Sequence, residues 1–363
     1  MTQGTFVGAR LELARAFQQV TLKQLAADIR VSYQSLSFYE TGQRTQPSRD
    51  VVAALAQALK VAPQFFFQPL TDTWAENECS FRRRVATPET IKKRARAHGT
   101  FIGLVIRELL EFVKLPAYNI PSLKPSSSED IERAAEKCRV HWGLGLGPIS
   151  HIGRVAEKNG AILVQHLQHA DKIDAFARRG QFSVIVLNVA KASRSRWIFD
   201  VAHELGHFVL HEGILTGDKD TESQADQFAG ALLLPRTVFG REFKARPLTW
   251  PHLFALKQRW SVSVAAIVYR AFELGLIDPL TYRRCYHHMS AQGWLSKGEP
   301  HEPGFVGPEW LNSAFTVAER KRVPPRALCE RLGWTTETFT AVTGVELTAP
   351  APARFRPRLV GNG

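Results

Sequence analysis

The residues that could carry out chemistry lie close together in the run His203-Glu204-Leu205-Gly206-His207. Two histidines four residues apart lie on one face of an α-helix, one turn apart, so both imidazoles can bind a single metal ion. Glu204 projects about 100° round the helix from His203, from where its carboxylate can reach a water bound to that metal. The spacing therefore predicts a metal site with a general base. The alternative is a helix that carries two histidines by chance.

The residues on either side of this run indicate a buried helix. Apolar side chains surround it, and Ser193 or Ser195 can cap its start. A polar His-Glu-His edge on an otherwise buried helix is costly unless something satisfies it, which favours the metal site over the chance match. The apolar residues are Trp197, Ile198, Val201, Ala202, Leu205, Phe208 and Val209.

A site with two histidines needs a third protein ligand, and two residues are candidates. His211 shares the helix face, but on an unbroken helix it lies about 12 Å along the axis from His203, too far to share one ion. Because Phe208-Val209-Leu210 continue the helix, His211 is predicted to end the helix or to support a ligand. Glu222 is the better candidate, in the first turn of a second helix that Thr221 could cap.

Glu222 and Asp226 are four residues apart and share one face of that second helix. This spacing resembles the gluzincin peptidases, in which the Glu completes the metal site and the Asp bonds the far nitrogen of a ligand histidine. The resemblance implies Zn²⁺ bound by His203, His207 and Glu222, with Asp226 fixing the tautomer of one histidine. The alternatives are charge complementarity at a helix N-terminus for Glu222 and a solvated side chain for Asp226.

The first segment of the chain, roughly residues 7 to 68, reads as a run of short helices. Helices are predicted at Gly8–Phe17, at Leu22–Ile29, from Ser32 to Glu40 and from Ser48 onward, with a last turn at 63–67. This segment resembles the Cro/C1 class (XRE family) of helix-turn-helix domains. The residues that match are Gly8-x-Arg10-Leu11, Ala14-Arg15, Thr21-x3-Leu25-Ala26, Val31-Ser32, Leu36-Ser37, Tyr39-Glu40-x-Gly42, Pro47 and Leu55-Ala56-x2-Leu59-x-Val61.

The Cro/C1 resemblance implies a five-helix bundle that binds double-stranded operator DNA, with its third helix in the major groove. The candidates for reading bases are Tyr33, Gln34 and Ser37, since a glutamine can pair with N6 and N7 of adenine. The candidates for phosphate contacts are Gln24, Gln43 and Arg44. The third helix carries no Arg or Lys, so neighbouring charge must supply affinity. The alternative is a bundle used only for protein contacts.

Residues around and beyond the two histidines resemble the ImmA/IrrE family of zinc-dependent regulatory peptidases, over roughly 150 to 300. The family implies a compact α/β peptidase in which Glu204 takes a proton from the metal-bound water. Its best-understood members cleave a partner repressor of the Cro/C1 class. Besides the histidine run itself, the matching residues are Ile185-Val186-Leu187-Asn188, Arg196-Trp197-Ile198-Phe199, Glu222-x2-Ala225-x2-Phe228-Ala229-x2-Leu232-Leu233-x-Pro235, Leu256-Lys257-x2-Trp260-x-Val262-Ser263, Arg270-Ala271 and Gly293-Trp294.

Composition and charge restrict the class of protein. The 363 residues are 44% hydrophobic and 22% charged, as expected of a globular protein with ordinary cores. The net charge of +13 favours polyanionic partners, nucleic acid first. Four scattered cysteines fit free thiols in a reducing cytosol, and no apolar run reaches the roughly 18 residues of a membrane span. A cytoplasmic protein without a membrane segment is therefore predicted.

The whole chain is predicted to be mainly α with a small α/β part. The gluzincin-like metallopeptidase domain contains a small three-stranded sheet and is followed by C-terminal helices. Its strands are predicted at 161–165, 175–178 and 182–187, the last of them central. The predicted divisions are a Cro/C1-type DNA-binding domain at 1–68, a connector with a long helix at 69–128, the peptidase domain at 129–300, and a small helical region with a disordered tail at 301–363.

The long helix of the connector is predicted to run from Thr87 to Lys114. Apolar residues step along it by three or four and form a seam that can pack on another helix. Because Cro/C1 domains usually act as dimers, this seam is a candidate homodimer interface. It consists of Ile91, Ala95, His98, Ile102, Val105, Leu109 and Phe112.

Two functions are consistent with these patterns. The first is a DNA-binding regulator whose zinc endopeptidase module cleaves a partner repressor or antitoxin, and so controls genes of a mobile element or a stress response. The second is a non-proteolytic XRE-family regulator or antitoxin, whose peptidase-like domain serves as a sensor or as a partner-binding surface. Replacing Glu204 with glutamine separates the two, because only the first needs the general base.

Overall fold

The computed structural model describes residues 4–75, 79–83, 88–166, 173–188, 193–214, 216–304 and 307–347. Within these ranges the chain forms seventeen α-helices and one four-stranded sheet, which confirms the predicted fold class. The tail predicted to be disordered, 349–363, lies outside the described residues. None of the helices in the described part combines the length and the apolar character that crossing a membrane requires.

Four short helices and a 3-10 turn form the N-terminal bundle, at the positions that the sequence predicted. The second, third and fourth helices each follow a hydroxyl side chain that accepts a hydrogen bond from the backbone N–H three residues later. This cap provides an acceptor for one of the backbone N–H groups that have no partner within the first turn of a helix. The helices are α1 (Gly8–Gln18), α2 (Leu22–Asp28), α3 (Tyr33–Glu40) and α4 (Arg49–Ala58), and the turn is Pro63–Phe67.

The sheet contains the three predicted strands and one more. Its strands are β1 (Cys79–Arg83), β2 (Ala161–His166), β3 (Ile173–Arg178) and β4 (Ser183–Asn188), in the order β1-β3-β4-β2. The strand β4 is central, as predicted, and runs parallel to β2 and antiparallel to β3. The strand β1 comes from the connector and pairs antiparallel with β3. The sequence did not predict β1, because five residues that end in two arginines give only a weak strand pattern.

The remaining helices of the described chain comprise the connector helix, a group around the sheet and a C-terminal group. The connector helix is α5 (Glu89–Leu109). The helices around the sheet are α6 (Ser128–His141), α7 (Ile152–Lys158), α8 (Arg194–Leu210), α9 (Lys219–Leu233), α10 (Arg236–Lys244), α11 (Trp250–Trp260), α12 (Val264–Glu273), α13 (Pro279–Ala291) and α14 (Trp294–Lys297). The C-terminal helices are α15 (Trp310–Arg320), α16 (Pro325–Leu332) and α17 (Thr336–Thr343).

The sheet separates two apolar cores, because side chains alternate between its faces. One face packs against α8 and belongs to a core that extends through α6 to α13. The other face shares a core with the N-terminal bundle, α5 and the C-terminal helices. The first face carries Leu163, Ala175, Ala177, Ile185 and Leu187. The second carries Ile162, Val164, Phe176, Val184 and Val186.

The C-terminal helices pack against the N-terminal bundle. The backbone N–H of Ala62 donates to the carbonyl of Gly333 at 2.8 Å, and Val61 and Trp334 form an isolated β-bridge. The ring of Phe101 in α5 lies 5.0 Å from that of Trp334, between centroids. The divisions predicted at residues 68, 128 and 300 stay predictions, but the packing of the chain crosses all three.

The seam on α5 was predicted to be a homodimer interface, and this prediction is wrong. The helix ends at Leu109, not Lys114, and Ala95, His98, Ile102, Val105 and Leu109 are buried inside the chain. The elements that cover them are α1 and the C-terminal helices, which the sequence had placed in other parts of the molecule. A homodimer itself stays a prediction, through a surface other than this seam. The predicted helix start at Thr87 lies outside the described residues.

Close packing of Trp74 against α5 makes Gly99→Ala a test of the fold. A Cβ at Gly99 would lie 2.4 Å from ring atoms of Trp74, whereas a Cβ at Gly103 would meet nothing closer than 3.8 Å. Alanine is about 1 kcal/mol better than glycine inside a helix, but overpacking costs about 1–3 kcal/mol. We therefore expect Gly99→Ala to lower the thermal melting midpoint and Gly103→Ala to leave it unchanged or raise it. A higher midpoint for Gly99→Ala would contradict the packing of Trp74.

Candidate functional site

The two histidines lie on α8, which is the central helix of the core on one side of the sheet. Ser193 caps this helix and accepts a hydrogen bond from the backbone N–H of Arg196 at 3.3 Å. Of the two capping serines that the sequence allowed, the structure uses the first. The apolar residues predicted to bury the helix are buried, except Ile198, which is half-buried. His203 and His207 are themselves 1% and 4% exposed.

The helix that carries the third candidate ligand, α9, begins earlier than the sequence predicted. Asp218, and not Thr221, is its cap, because the Asp218 carboxylate accepts hydrogen bonds from the N–H groups of Asp220 and Thr221 at 2.8 and 3.0 Å. Two such bonds to one carboxylate satisfy more of the helix start than one hydroxyl can. Glu222 remains in the first turn, as predicted.

Close contact between α8 and α9 brings the third ligand opposite the two histidines. A Cβ at Gly206 would lie 3.1 Å from the ring of Phe228 and 3.2 Å from the carbonyl oxygen of Ala225. The absence of a side chain at Gly206 therefore lets the two helices approach. Glu222 lies about one turn before Ala225 on α9, and its carboxylate faces His203 and His207.

Three ligand atoms converge between the two helices. The Nε2 atoms of His203 and His207 are 3.1 Å apart. The carboxylate of Glu222 places one oxygen 3.5 Å from the Nε2 of His203 and the other 3.3 Å from that of His207. All three ligand atoms lie within 4.8 Å of one another. In the part of the chain that the structure describes, this is the one group of three or more His, Cys, Asp or Glu side chains with the geometry of a metal site.

The outward nitrogens of the two histidines have different partners. The Nδ1 of His203 lies 2.8 Å from a carboxylate oxygen of Asp226, as the gluzincin-like spacing predicted. The Nδ1 of His207 lies 3.0 Å from the Nδ1 of His211. The Nε2 of His211 in turn lies 2.8 Å from the amide oxygen of Gln224. His211 is therefore a helix-end residue that contacts His207, outside the group of three.

Burial and hydrogen bonding favour the protonation states that bind a cation. Burial lowers the pKa of His207 below its usual value, which favours the neutral imidazole. Burial raises the pKa of Glu222, but its contacts with His203 and His207 outweigh burial and lower that pKa to about 2. Neutral imidazoles and an ionised carboxylate are the forms that a metal ion requires.

The residues of the cluster fit a bound divalent cation. His203 donates its Nδ1–H to Asp226, which is an acceptor, so in the neutral ring its Nε2 carries a lone pair. The same point is faced by that lone pair, by the Nε2 of His207 and by the Glu222 carboxylate. A single proton there could not bond to all three groups, whereas a metal ion could. Two imidazole nitrogens and one carboxylate oxygen are a donor set of catalytic metal sites in which a further position stays open for water.

The predicted general base, Glu204, is buried, and a cleft borders the same helix. Glu204 follows His203 on α8 and is fully buried, at 0% exposed. A cleft of about 970 Å³ is bordered by Asp226 and by side chains of α8 on the same helix face as His203. Both aromatic and charged side chains line it. Its lining includes Arg196, Phe199, Tyr269, Tyr286 and Trp294.

Five of the six residues predicted to contact DNA are exposed around α3, and one is half-buried. Tyr33, at the start of α3, is 57% exposed, the largest exposed fraction of the aromatic residues among the described part of the chain. Ser37 is the half-buried one. The guanidinium of Arg44 lies 5.2 Å above the ring of Phe38, which holds it beside the helix. The other exposed candidates are Gln24, Gln34 and Gln43.

An ion pair fixes the orientation of α3 in the bundle. The guanidinium of Arg15 in α1 binds the carboxylate of Glu40, the last residue of α3, in a bidentate contact at 2.7 and 2.8 Å. Arg15 also donates to the carbonyl of Val20, in the turn before α2, at 3.0 Å. A planar guanidinium with three fixed acceptors holds the helices in one geometry. The surface of α3 is thereby presented as a rigid unit.

Two separate regions of the chain match family models. Residues 7–64 match a helix-turn-helix domain, and residues 159–272 match the IrrE N-terminal-like domain of the M78 peptidases. No curated protein matches the chain. The chain thus contains one region similar to helix-turn-helix domains and another similar to a peptidase domain. These two matches, to an XRE-type helix-turn-helix and to an ImmA/IrrE-type domain, confirm the resemblances that the sequence predicted for the two regions.

Sequence reasoning missed the contact of Gln224 with His211. Gln224 is two residues from Glu222, about 200° round the helix, and therefore has no place in the Glu-x3-Asp spacing. A weak signal was present in the three histidines at 203, 207 and 211, which share a helix face. The partner of the last one could not be predicted without the crossing of α8 and α9.

Loss of the third ligand is expected to weaken metal binding. We expect Glu222→Ala to raise the dissociation constant for Zn²⁺ by more than about 100-fold, because losing a direct ligand costs more than losing an outer partner. The measurement is competition with a chromophoric chelator. Asp220→Ala is the matched control, since Asp220 is an exposed carboxylate of the same helical turn. Equal zinc affinity in Glu222→Ala and wild type would remove Glu222 as a ligand and make His211 the candidate again.

Proposed function

We propose that this protein is a transcriptional regulator whose zinc-dependent endopeptidase module cleaves a partner protein, a repressor or an antitoxin. Cleavage would control genes of a mobile element or of a stress response, in the cytoplasm. The convergence of His203, His207 and Glu222 beside Glu204, within an IrrE N-terminal-like domain, carries the proposal. The helix-turn-helix domain supports operator DNA as the second partner.

The donor set supports zinc as the metal. His203, His207 and Glu222 offer two imidazoles and one carboxylate, which is a ligand set of zinc peptidases. When bound, Zn²⁺ would lower the pKa of a water ligand toward neutrality and polarise the scissile carbonyl. Asp226 would hold His203 with its Nε2 lone pair directed at the metal, through the 2.8 Å hydrogen bond.

Glu204 would carry the proton during peptide cleavage. Its position next to His203 on α8 lets it accept the proton of the attacking water and then donate that proton to the leaving amine. Because Glu204 is fully buried, solvent has little access to the proton between the two transfers. The cleft beside Asp226 would hold residues of the substrate chain on one side of the scissile bond. Tyr269, Tyr286 and Trp294 in its lining would pack against apolar groups of the substrate. Arg196, Lys297 and Glu299 would contact polar ones.

On the DNA side, Tyr33, Gln34 and Ser37 would read bases, while Gln24, Gln43 and Arg44 would contact phosphates. The exposure of the α3 surface and its fixed orientation through the Arg15–Glu40 contact support this assignment. The helix α3 has no basic residue of its own, and Arg44 beside it would supply part of the electrostatic attraction.

Substitution of the general base tests the peptidase activity. We expect Glu204→Gln to lower the rate of partner cleavage by roughly 10²–10⁴-fold, because general acid–base catalysis contributes that much. Cells that express wild type or Glu204→Gln are compared by mass spectrometry of newly formed protein N-termini. Binding to an operator, measured by fluorescence anisotropy, should not change. Identical sets of N-termini together with identical gene regulation would instead favour the non-proteolytic regulator or antitoxin.

Substitution of a base-reading residue tests the DNA assignment. An operator is first selected from a random-sequence DNA pool with the wild-type protein. We expect Gln34→Ala to reduce discrimination at one base-pair position by about 1–3 kcal/mol, because a bidentate contact with adenine contributes that much. Gln57→Ala, an exposed glutamine of α4, is the control and should not change the selected sequence. An unchanged sequence preference in Gln34→Ala would exclude Gln34 from base reading.

A further inference from the structure

A third histidine follows the two predicted ligands on the same helix, and the proposed reaction gives it no role. His211 is the residue immediately after α8 and is 5% exposed. Its Nδ1 lies 3.0 Å from the Nδ1 of His207, and its Nε2 lies 2.8 Å from the amide oxygen of Gln224. Gln224 on α9, His211 and His207 thus form a continuous chain of hydrogen bonds that ends at the metal cluster.

The direction of every hydrogen bond in this chain follows from its outer end. The amide oxygen of Gln224 can only accept, so the Nε2–H of His211 donates to it. A neutral imidazole has one N–H, and therefore the Nδ1 of His211 must be an acceptor. The proton between the two rings then belongs to the Nδ1 of His207. His207 has no second proton, so its Nε2 presents a lone pair to the cluster.

The opposite direction is incompatible with the cluster. If the amide NH₂ of Gln224 faced His211, the Nε2 of His211 would accept and its Nδ1 would donate. His207 would then carry its proton on Nε2, which lies 3.1 Å from the Nε2 of His203 and 3.3 Å from the Glu222 carboxylate. That tautomer cannot bind a metal ion, because the nitrogen facing the site has no lone pair.

We propose that His211 and Gln224 are positioning residues, which hold His207 in the tautomer whose Nε2 lone pair faces the metal. This proposal rests on the metal-ligand role of His207 in the proposed function. The two ligand histidines are then oriented by different means. Asp226 orients His203 directly and with a negative charge, whereas Gln224 orients His207 through a neutral ring.

The hydrogen-bond relay from Gln224 through His211 to His207 carries no charge, and this affects the charge of the site. Glu222 and Asp226 supply two negative charges within contact of the histidines, which match the two positive charges of a divalent ion. A glutamine at 224 transmits the hydrogen-bond direction and leaves this balance unchanged. A carboxylate at 224 would also accept from His211, and so would keep the tautomer while adding charge.

The variants that separate this role from a purely structural one change only the acceptor at 224. Gln224→Leu removes the acceptor at similar volume, and Gln224→Glu keeps it. Gln227→Leu is the matched control, a glutamine of the same helix whose amide donates to the Ser128 carbonyl at 3.3 Å, away from the histidines. Zinc affinity of the full-length chain is measured by chelator competition, and His tautomers in the metal-free chain by ¹⁵N-detected NMR with labelled histidine.

We expect metal-free wild type to show His207 protonated at Nδ1 and His211 protonated at Nε2. Gln224→Leu should bind Zn²⁺ roughly 10–100-fold more weakly, the usual effect of losing an outer partner of a ligand histidine. Gln224→Glu and Gln227→Leu should stay within about threefold of wild type.

Three results would overturn the relay. A proton on the Nε2 of His207 in the metal-free wild type reverses the inferred direction, and this measurement needs no variant to fold. Equal zinc affinity of Gln224→Leu and wild type shows that the acceptor has no positioning role, while the metal site itself stands. Absence of zinc binding by wild type removes the metal site and the relay together.

Discussion

The close approach of α8 and α9 is the contact on which the candidate site depends. Because α8 is buried, the imidazoles of His203 and His207 need polar partners from another element. The missing side chain at Gly206 lets α9 come near enough for Glu222, Gln224 and Asp226 to provide these partners. Three residues of α9 therefore act on the two histidines in different ways. Glu222 faces both of them, Asp226 contacts His203 directly, and Gln224 contacts His207 through His211.

The sheet joins this site to the rest of the molecule, because both of its faces are covered. One face supports α8, and the other belongs to the core of the N-terminal bundle, α5 and the C-terminal helices. The two modules are therefore not independent bodies on a flexible tether. A change in the packing of the sheet would therefore reach the core that supports the N-terminal bundle.

Local patterns predicted most of the elements, and long-range packing accounts for what they could not predict. Caps and apolar periodicity were enough for α1 to α4 and for the three main strands, because these signals lie within a few residues of each element. The seam on α5 was recognised as apolar, but some of its partners are more than 200 residues away in the sequence, as the contact of His98 with Val342 illustrates. The convergence of His203, His207 and Glu222 agrees with the spacing on two helices, whereas the contact of Gln224 with His211 depends on how those helices pack.

The contact between the two ends of the described chain has a consequence for synthesis. Leu328, Trp334 and Phe339 of the C-terminal helices are buried in the same core as Phe65 of the N-terminal bundle. A ribosome makes the bundle before these helices, so the bundle stays without this covering until residues 310–343 have emerged. A chain interrupted before residue 310 would expose that apolar surface and would be open to aggregation or proteolysis. Only chains that already include the region between the bundle and residue 310 could then complete the core of the N-terminal bundle.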